Sequence, residues 1–329
     1  MTDNVEPSHL LLSSQPSHAT TKHRASLLLA TIWHDKRYYL YLLPVFLLLG
    51  IFSYFPPLSA FYYSFFKVDA RRIEFIGLDN FANLVRDAKI WASTGNVFML
   101  LIANLFTGIV PSLFVAELLF FLRSRRGGNF YRSMFLVPIL VPTMVVVLTW
   151  RYVYHPSYGL INWLLANSGL GSLQHDWLGS YDTALLSLMF FGFPWIHGTN
   201  VLILLAALLN IPEEVLDSYR LDAGAGIRRL WYLDLPLIAG AIRLLLIMAI
   251  SGSLQGLTLQ FAMTAGGPGI ATMVPAYYMY QQAFSGGRFG YASAIGVVLF
   301  VVIMAATLAN LRLVRSDVEY QARGGGQTR

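Results

Sequence analysis

Six times the chain runs from one charged residue to the next over a stretch long enough to cross a bilayer, which takes about 20 mostly apolar residues in a helix. The windows are Tyr38 to Phe66, Ile90 to Leu122 with Glu117 inside it, Ser133 to Trp150, Thr183 to Pro212, Leu244 to Ala262 and Phe289 to Leu311. At a rise of 1.5 Å per residue, each reaches about 27 Å or more. One window alone fits a buried helix of a soluble protein. Six, separated by polar loops carrying Gly and Pro, predict an all-α integral membrane protein with spans at 38–66, 94–122, 133–154, 183–210, 237–262 and 289–312. Residues 1–37 and 314–329 are then terminal segments outside the bilayer.

Composition narrows the function. Charged residues make up 12% of the chain, against about 25% in soluble domains. A net charge of +6, scattered rather than clustered, excludes a nucleic-acid footprint. The absence of Cys removes disulfide frameworks, thiolate zinc sites and Cys nucleophiles together. Orientation follows from Lys and Arg, which cytoplasmic loops retain. An inside N-terminus puts Lys22, Arg24, Lys36 and Arg37, then Arg123, Arg125, Arg126 and Arg132, then Arg220, Arg228 and Arg229, then Arg312, Arg315, Arg323 and Arg329 in the cytoplasm. Only Lys67, Arg71, Arg72, Arg86, Lys89 and Arg288 fall outside, so both termini are expected inside. No apolar stretch precedes a small-residue cleavage site in residues 1–36, and Ala25–Trp33 reads either as an interfacial helix or as a solvated lead-in.

A search for chemistry returns nothing. There is no G-x-x-x-x-G-K-[ST] phosphate loop, no H-E-x-x-H and no clustered metal-ligand set. Glu117, Arg243 and His197 are the ionisable residues noted within the spans, too few for a reaction or a proton relay. Glu117 and Arg243 lie at similar inner depth, so they form an ion pair or each snorkels to the inner headgroups.

The most informative loop is 211–236. Pro212 suits a first helical turn, Glu213 and Glu214 complement the helix dipole, and Gly224 with Gly226 supply a stop, predicting a helix of two to three turns. Val215, Leu216, Tyr219 and Leu221 make it more apolar than a spacer requires. It either seals the bundle at the interface or presents a surface to a cytosolic partner.

This segment resembles the EAA loop of binding-protein-dependent ABC transporter permeases, in which E-A-A is followed at fixed spacing by Gly, then Ile, then Leu-Pro. Here Asp217-Ser218-Tyr219, Ala223, Leu233 and Leu235-Pro236 hold those positions, with Asp in place of Glu, Ser and Tyr in place of both Ala, and Gly displaced to 224. Tyr39–Pro44 with Phe55-Pro56-Pro57 resembles the first helix of the carbohydrate-importer branch, Phe75–Phe81 its first outer loop, and Thr264–Pro268 its last outer segment. The resemblance is to the first permease of maltose- and glycerol-phosphate-type pairs.

The resemblance implies an inner-membrane, bacterial or archaeal importer subunit for a sugar, oligosaccharide or glycerol-phosphate-like solute. The chain would bind no cofactor, ATP and Mg belonging to a dimer of partner ATPase subunits. A second homologous permease and an extracytoplasmic solute-binding protein complete the set, with membrane lipid around it and no nucleic acid. ATPase docking falls to Glu213, Glu214, Asp217, Ser218, Tyr219, Arg220, Leu221, Asp222, Ala223 and Gly224. The solute path falls to Ala249, Gly252, Ser253 and Gly256, with Asn104, Asn200, Gln255 and Gln260 as hydroxyl partners and Trp195 or Tyr278 as stacking surfaces. Close helix packing at Gly252 and Gly256 is the competing account of the small residues. A peptide permease, an ATP-independent carrier or channel, and a membrane enzyme are the rival functions.

Overall fold

The computed structural model describes residues 36–69, 72–122, 125–222 and 227–313. Ala25–Trp33, the terminal segment 314–329, Ala223 and Gly224 lie outside the described residues, as do the side chains of Arg220, Leu221 and Asp222. The chain divides into two compact units, Met1–Ser59 and Ala60–Arg329.

The first unit is helical from Lys36. Helix α1 (Lys36–Leu48) widens into a π-helical turn, Leu49–Tyr54, and continues as α2 (Phe55–Tyr63) across the boundary of the unit. Pro56 and Pro57 follow the wide turn immediately. Their rings would crowd the carbonyls one turn back and they lack an N–H, so the looser i+5 pattern relieves the ladder. Large side chains such as Phe46 and Phe52 are exposed on this helix, as a lipid-facing surface requires.

The second unit begins with a feature the hydropathy reading assigns to helix and loop. Strands β1 (Phe66–Asp69) and β2 (Arg72–Phe75) pair antiparallel, Phe66 opposite Phe75 and Asp69 opposite Arg72. Asn80, on helix α3 (Asp79–Arg86), donates from Nδ2 to the carbonyl oxygens of Ser64 (2.8 Å) and Phe66 (2.9 Å), pinning the hairpin. Helix α4 (Ala88–Phe120) is then continuous for 33 residues. Asp87 caps it, its carboxylate accepting from the Lys89 N–H at 2.9 Å.

Three expected spans prove to be broken. Helix α5 (Arg125–Leu136) and a 3₁₀ turn precede α6 (Thr143–Val153), with an 84° bend where Pro138 and Pro142 interrupt the ladder. After the short outer helix α7 (Leu160–Asn167), α8 (Tyr181–Phe190) ends at the turn containing Gly192 and Pro194, and α9 (Gly198–Leu209) resumes beyond it. The stretch 183–210 is therefore two helices. Helix α10 (Glu213–Asp222) and α11 (Ile227–Arg229) lead through a π turn, Leu230–Asp234, into α12 (Leu235–Leu237) and α13 (Ala239–Gln255). Gly256 is extended (φ −67°, ψ 130°) and separates α13 from α14 (Thr258–Met263). Helices α15 (Pro275–Tyr280) and α16 (Phe289–Leu313) complete the unit. Among the described residues three helices suffice alone to cross a membrane, and up to six spans result if each bent pair counts once.

Buried apolar side chains form an inner cluster joining α4, α9 and α13 through Val115, Leu119, Leu204, Leu208 and Leu245. A second cluster joins α4, α15 and α16 through Val97, Tyr277 and Ile295. Asn96 reinforces it, donating from Nδ2 to the carbonyls of Ile270 and Met273, each at 3.0 Å. Those bonds fix the Thr264–Pro268 segment's downstream turn against α4.

Candidate substrate path and docking surface

A cavity of about 310 Å³ opens where α13 stops. Its walls include Asn104 and Thr107 of α4, Thr143 of α6, His197 before α9, and Gly252, Ser253, Gly256, Thr258 and Gln260 around the α13–α14 break. Asn104 and Thr107, three apart, share one helix face. Asn104 donates from Nδ2 to Ser253 Oγ at 3.0 Å, crossing the cavity wall. A side chain at Gly252 would meet nothing within 4 Å, whereas one at Gly256 would press on the Gly252 carbonyl. Among the described residues, Gly252 therefore borders open space.

Five of the ten path residues assigned from sequence converge here: Asn104, Gly252, Ser253, Gly256 and Gln260. The other five do not. Asn200 donates to the carbonyl of Gly108 at 2.9 Å and ties α9 to α4. Tyr278 is buried, with its hydroxyl on Asp87, so its ring offers no stacking face. Trp195 lines a separate, apolar cavity of about 550 Å³ and packs edge-on against Phe190. Ala249 and Gln255 stay off the wall. Thr107, Thr143, His197 and Thr258 also line the cavity, although the sequence reading does not assign them to the path. Thr107 was recoverable from its i+3 spacing to Asn104, and His197 from being an ionisable residue in an apolar window.

Helix α10 is 10 residues long, close to three turns at 3.6 residues each. The carbonyl of Pro212 accepts from the N–H groups of Val215 and Leu216 and starts the helix. Val215 and Leu216 pack against the inner cluster, and the Tyr219 hydroxyl is buried. Tyr219 is half-buried, on the same edge as Val215 and Leu216. Glu213, Glu214, Asp217 and Ser218 are exposed. Ser218 Oγ donates back to the Val215 carbonyl at 3.0 Å.

Just beyond lies a buried ion pair. Arg229 Nε and Asp234 Oδ2 are 3.1 Å apart, with side chains 7% and 1% exposed. The π turn brings residues five apart onto one side. Arg229 also lies over the rings of Phe120 and Phe121, at 5.1 and 4.9 Å, at the inner end of α4. Glu117, buried one turn earlier, interacts electrostatically with Asp234 and Arg229. Among the described residues, the charges that act on Glu117 are those of these two residues, because the loop folds Arg229 back into the bundle.

This arrangement of helices matches transporter subunits of known structure. The fold matches a chain of the bacterial ABC transporter involved in the import of the acidic polysaccharide alginate, with a TM-score of 0.73 and 21% identity over 88% of this chain and 99% of that one. It matches equally the alginate transporter in complex with an alginate pentasaccharide-bound periplasmic protein (TM-score 0.72, 20% identity, 87% of this chain, 98% of that chain). The fold is that of an ABC importer's membrane subunit.

Sequence relatives make the assignment narrower. The chain is 30% identical over 288 residues to the sn-glycerol-3-phosphate transport system permease protein UgpA of Salmonella typhimurium, covering 86% of this chain and 95% of the relative. It is 28% identical over 283 residues to the probable ABC transporter permease protein YurN of Bacillus subtilis, covering 85% and 97%. No protein-family model matches. The chain belongs to the carbohydrate-type ABC importer permeases, whose task is transport and not catalysis.

Proposed function

We propose that this chain spans the inner membrane of a bacterium or archaeon six times, termini inside, and forms one half of a translocation path for a sugar, oligosaccharide or glycerol-phosphate-like solute. A second homologous permease supplies the other half. The cavity walled by Asn104, Thr107, Ser253 and Gln260 offers hydroxyl and amide groups that pair with solute hydroxyls while the surrounding helices exclude water. An extracytoplasmic binding protein delivers the solute, in keeping with the periplasmic partner named for the alginate transporter.

The observation that carries this reading is the two-sidedness of α10. Its Val215 and Leu216 edge is anchored in the chain's own core while Glu213, Glu214, Asp217 and Ser218 face out. On this reading α10 is the EAA coupling helix, and a pair of ATPase subunits that hold ATP and Mg docks on that outward face. Work enters by differential binding: ATP-driven closure of the ATPases favours one permease conformation over the other. Affinity purification of the tagged chain from its native membrane tests it, comparing wild type with Asp217→Lys combined with Leu221→Asp. Wild type is expected to bring down an ATPase that the folded double variant loses; wild type that arrives alone and moves solute in liposomes without ATP overturns the reading.

A further inference from the structure

Resting on the coupling role of α10, we infer that Arg229 is a positioning residue that carries movement of the α10 segment into α4. Three observations meet there. Arg229 and Asp234 form an ion pair almost wholly removed from solvent. The same guanidinium lies over the rings of Phe120 and Phe121, 5.1 and 4.9 Å from their centroids, where α4 ends. Glu117 of α4 interacts with both charges, and its Oε1, like Asp234 Oδ2, has no hydrogen-bond partner among the described residues.

A buried ion pair adds little net stability over an apolar pair of similar size, since desolvation offsets attraction. A Leu or Met pair would seal this corner as well. What the charges add is a fixed register: a guanidinium bonded to the Asp234 carboxylate, set over two rings and acting on Glu117 through charge alone, holds the loop in one arrangement against α4. Helix α4 continues as one helix from Phe120 through Pro111 back to Asn104, about 24 Å along its axis. A displacement of the loop that carries Arg229 therefore reaches the cavity wall as a movement of α4, and not as local slack in the side chains.

The chain has no Cys, so a single Gly252→Cys reports on the cavity through its reaction with a membrane-impermeant maleimide. The complex is purified through the tagged chain and labelled with and without Mg–ATP and vanadate. With Arg229 intact, trapping is expected to change the labelling rate at least fivefold. With Arg229→Met and Asp234→Leu together, ATPase is expected to co-purify and hydrolyse ATP while that response falls below twofold. An intact response in this assembled variant overturns the inference, because apolar packing would then serve as well. Should the double variant fail to assemble, Arg229→Lys decides, since it keeps the charge and loses the planar fork: a response reduced by half or more supports the inference, an unchanged one overturns it. Failure of the wild-type background to co-purify an ATPase or to respond to ATP overturns the coupling reading itself, and this inference with it.

Discussion

Tyr278 donates its hydroxyl to Asp87 Oδ2 at 2.8 Å, joining positions 191 residues apart in the chain. Tyr291 donates to the same oxygen, also at 2.8 Å. Burial by itself would raise the Asp87 carboxyl, but the bonds from Tyr291, Tyr278 and the N–H groups of Lys89 and Ile90 outweigh it and hold the group below its ordinary value. Burial, with the hydrogen bond and charge of Asp87, pushes the Tyr278 hydroxyl up to about 12. A carboxylate whose folded value is depressed stabilises above its unfolded pKa and loses that contribution as pH falls through the folded value. Wild type in detergent is therefore expected to lose unfolding temperature from pH 5 towards pH 2 more steeply than Asp87→Asn. Parallel acid profiles would refute the assignment.

Three glycines differ sharply in the room around them. A Cβ at Gly198 would collide with the Phe135 carbonyl oxygen, and one at Gly290 with the Phe66 carbonyl oxygen, whereas Gly252 has room. Gly198→Ala and Gly290→Ala are expected to destabilise by about 2 kcal/mol or more, and Gly252→Ala by less than about 0.5. Thermal scans of the purified variants measure the difference.

The two edges of α10 are expected to separate stability from docking. Leu216→Ala removes a half-buried side chain from the inner cluster and is expected to cost about 1–2 kcal/mol. Glu214→Lys, on the exposed edge, is expected to leave the unfolding temperature unchanged while reducing co-purified ATPase severalfold. Equal losses of ATPase at equal stability in both would count against the division.

Asn104 and Asn200 each bond to a neighbouring helix, but only Asn104 reaches the cavity. Such interhelical bonds in bilayers average about 0.6 kcal/mol. Alanine at either position is thus expected to be mildly destabilising to a similar degree. Uptake of the solute carried by the cognate binding protein, measured in vesicles, is expected to fall markedly for Asn104→Ala and to stay within twofold for Asn200→Ala.

Sequence periodicity conveyed what hydropathy encodes and little of what depends on azimuth. The long apolar runs around α4 and α16 were visible because nothing charged interrupts them except Glu117. The break at Gly192–His197 was not, because Pro194 and its neighbours are as apolar as a helix. Gly252, Ser253 and Gly256 could be assigned to a path by resemblance, and Asn104 by its polarity in an apolar window. Tyr278 could not be placed, since its partner Asp87 caps a helix far earlier in the chain. The same limit hid Arg229: counting it as a cytoplasmic cation was reasonable, but only the π turn shows it folded inward beside Asp234.

The empty space beside Gly252 also bears on how a subunit like this can diverge. Because no neighbour among the described residues occupies the place where a methyl or hydroxymethyl would stand, the cavity can be narrowed there one small group at a time while the helices keep their positions. On the proposed reading of this cavity as the solute path, a lineage retunes its cargo there through single substitutions that spare the fold, whereas the same changes at Gly198 meet the Phe135 carbonyl oxygen.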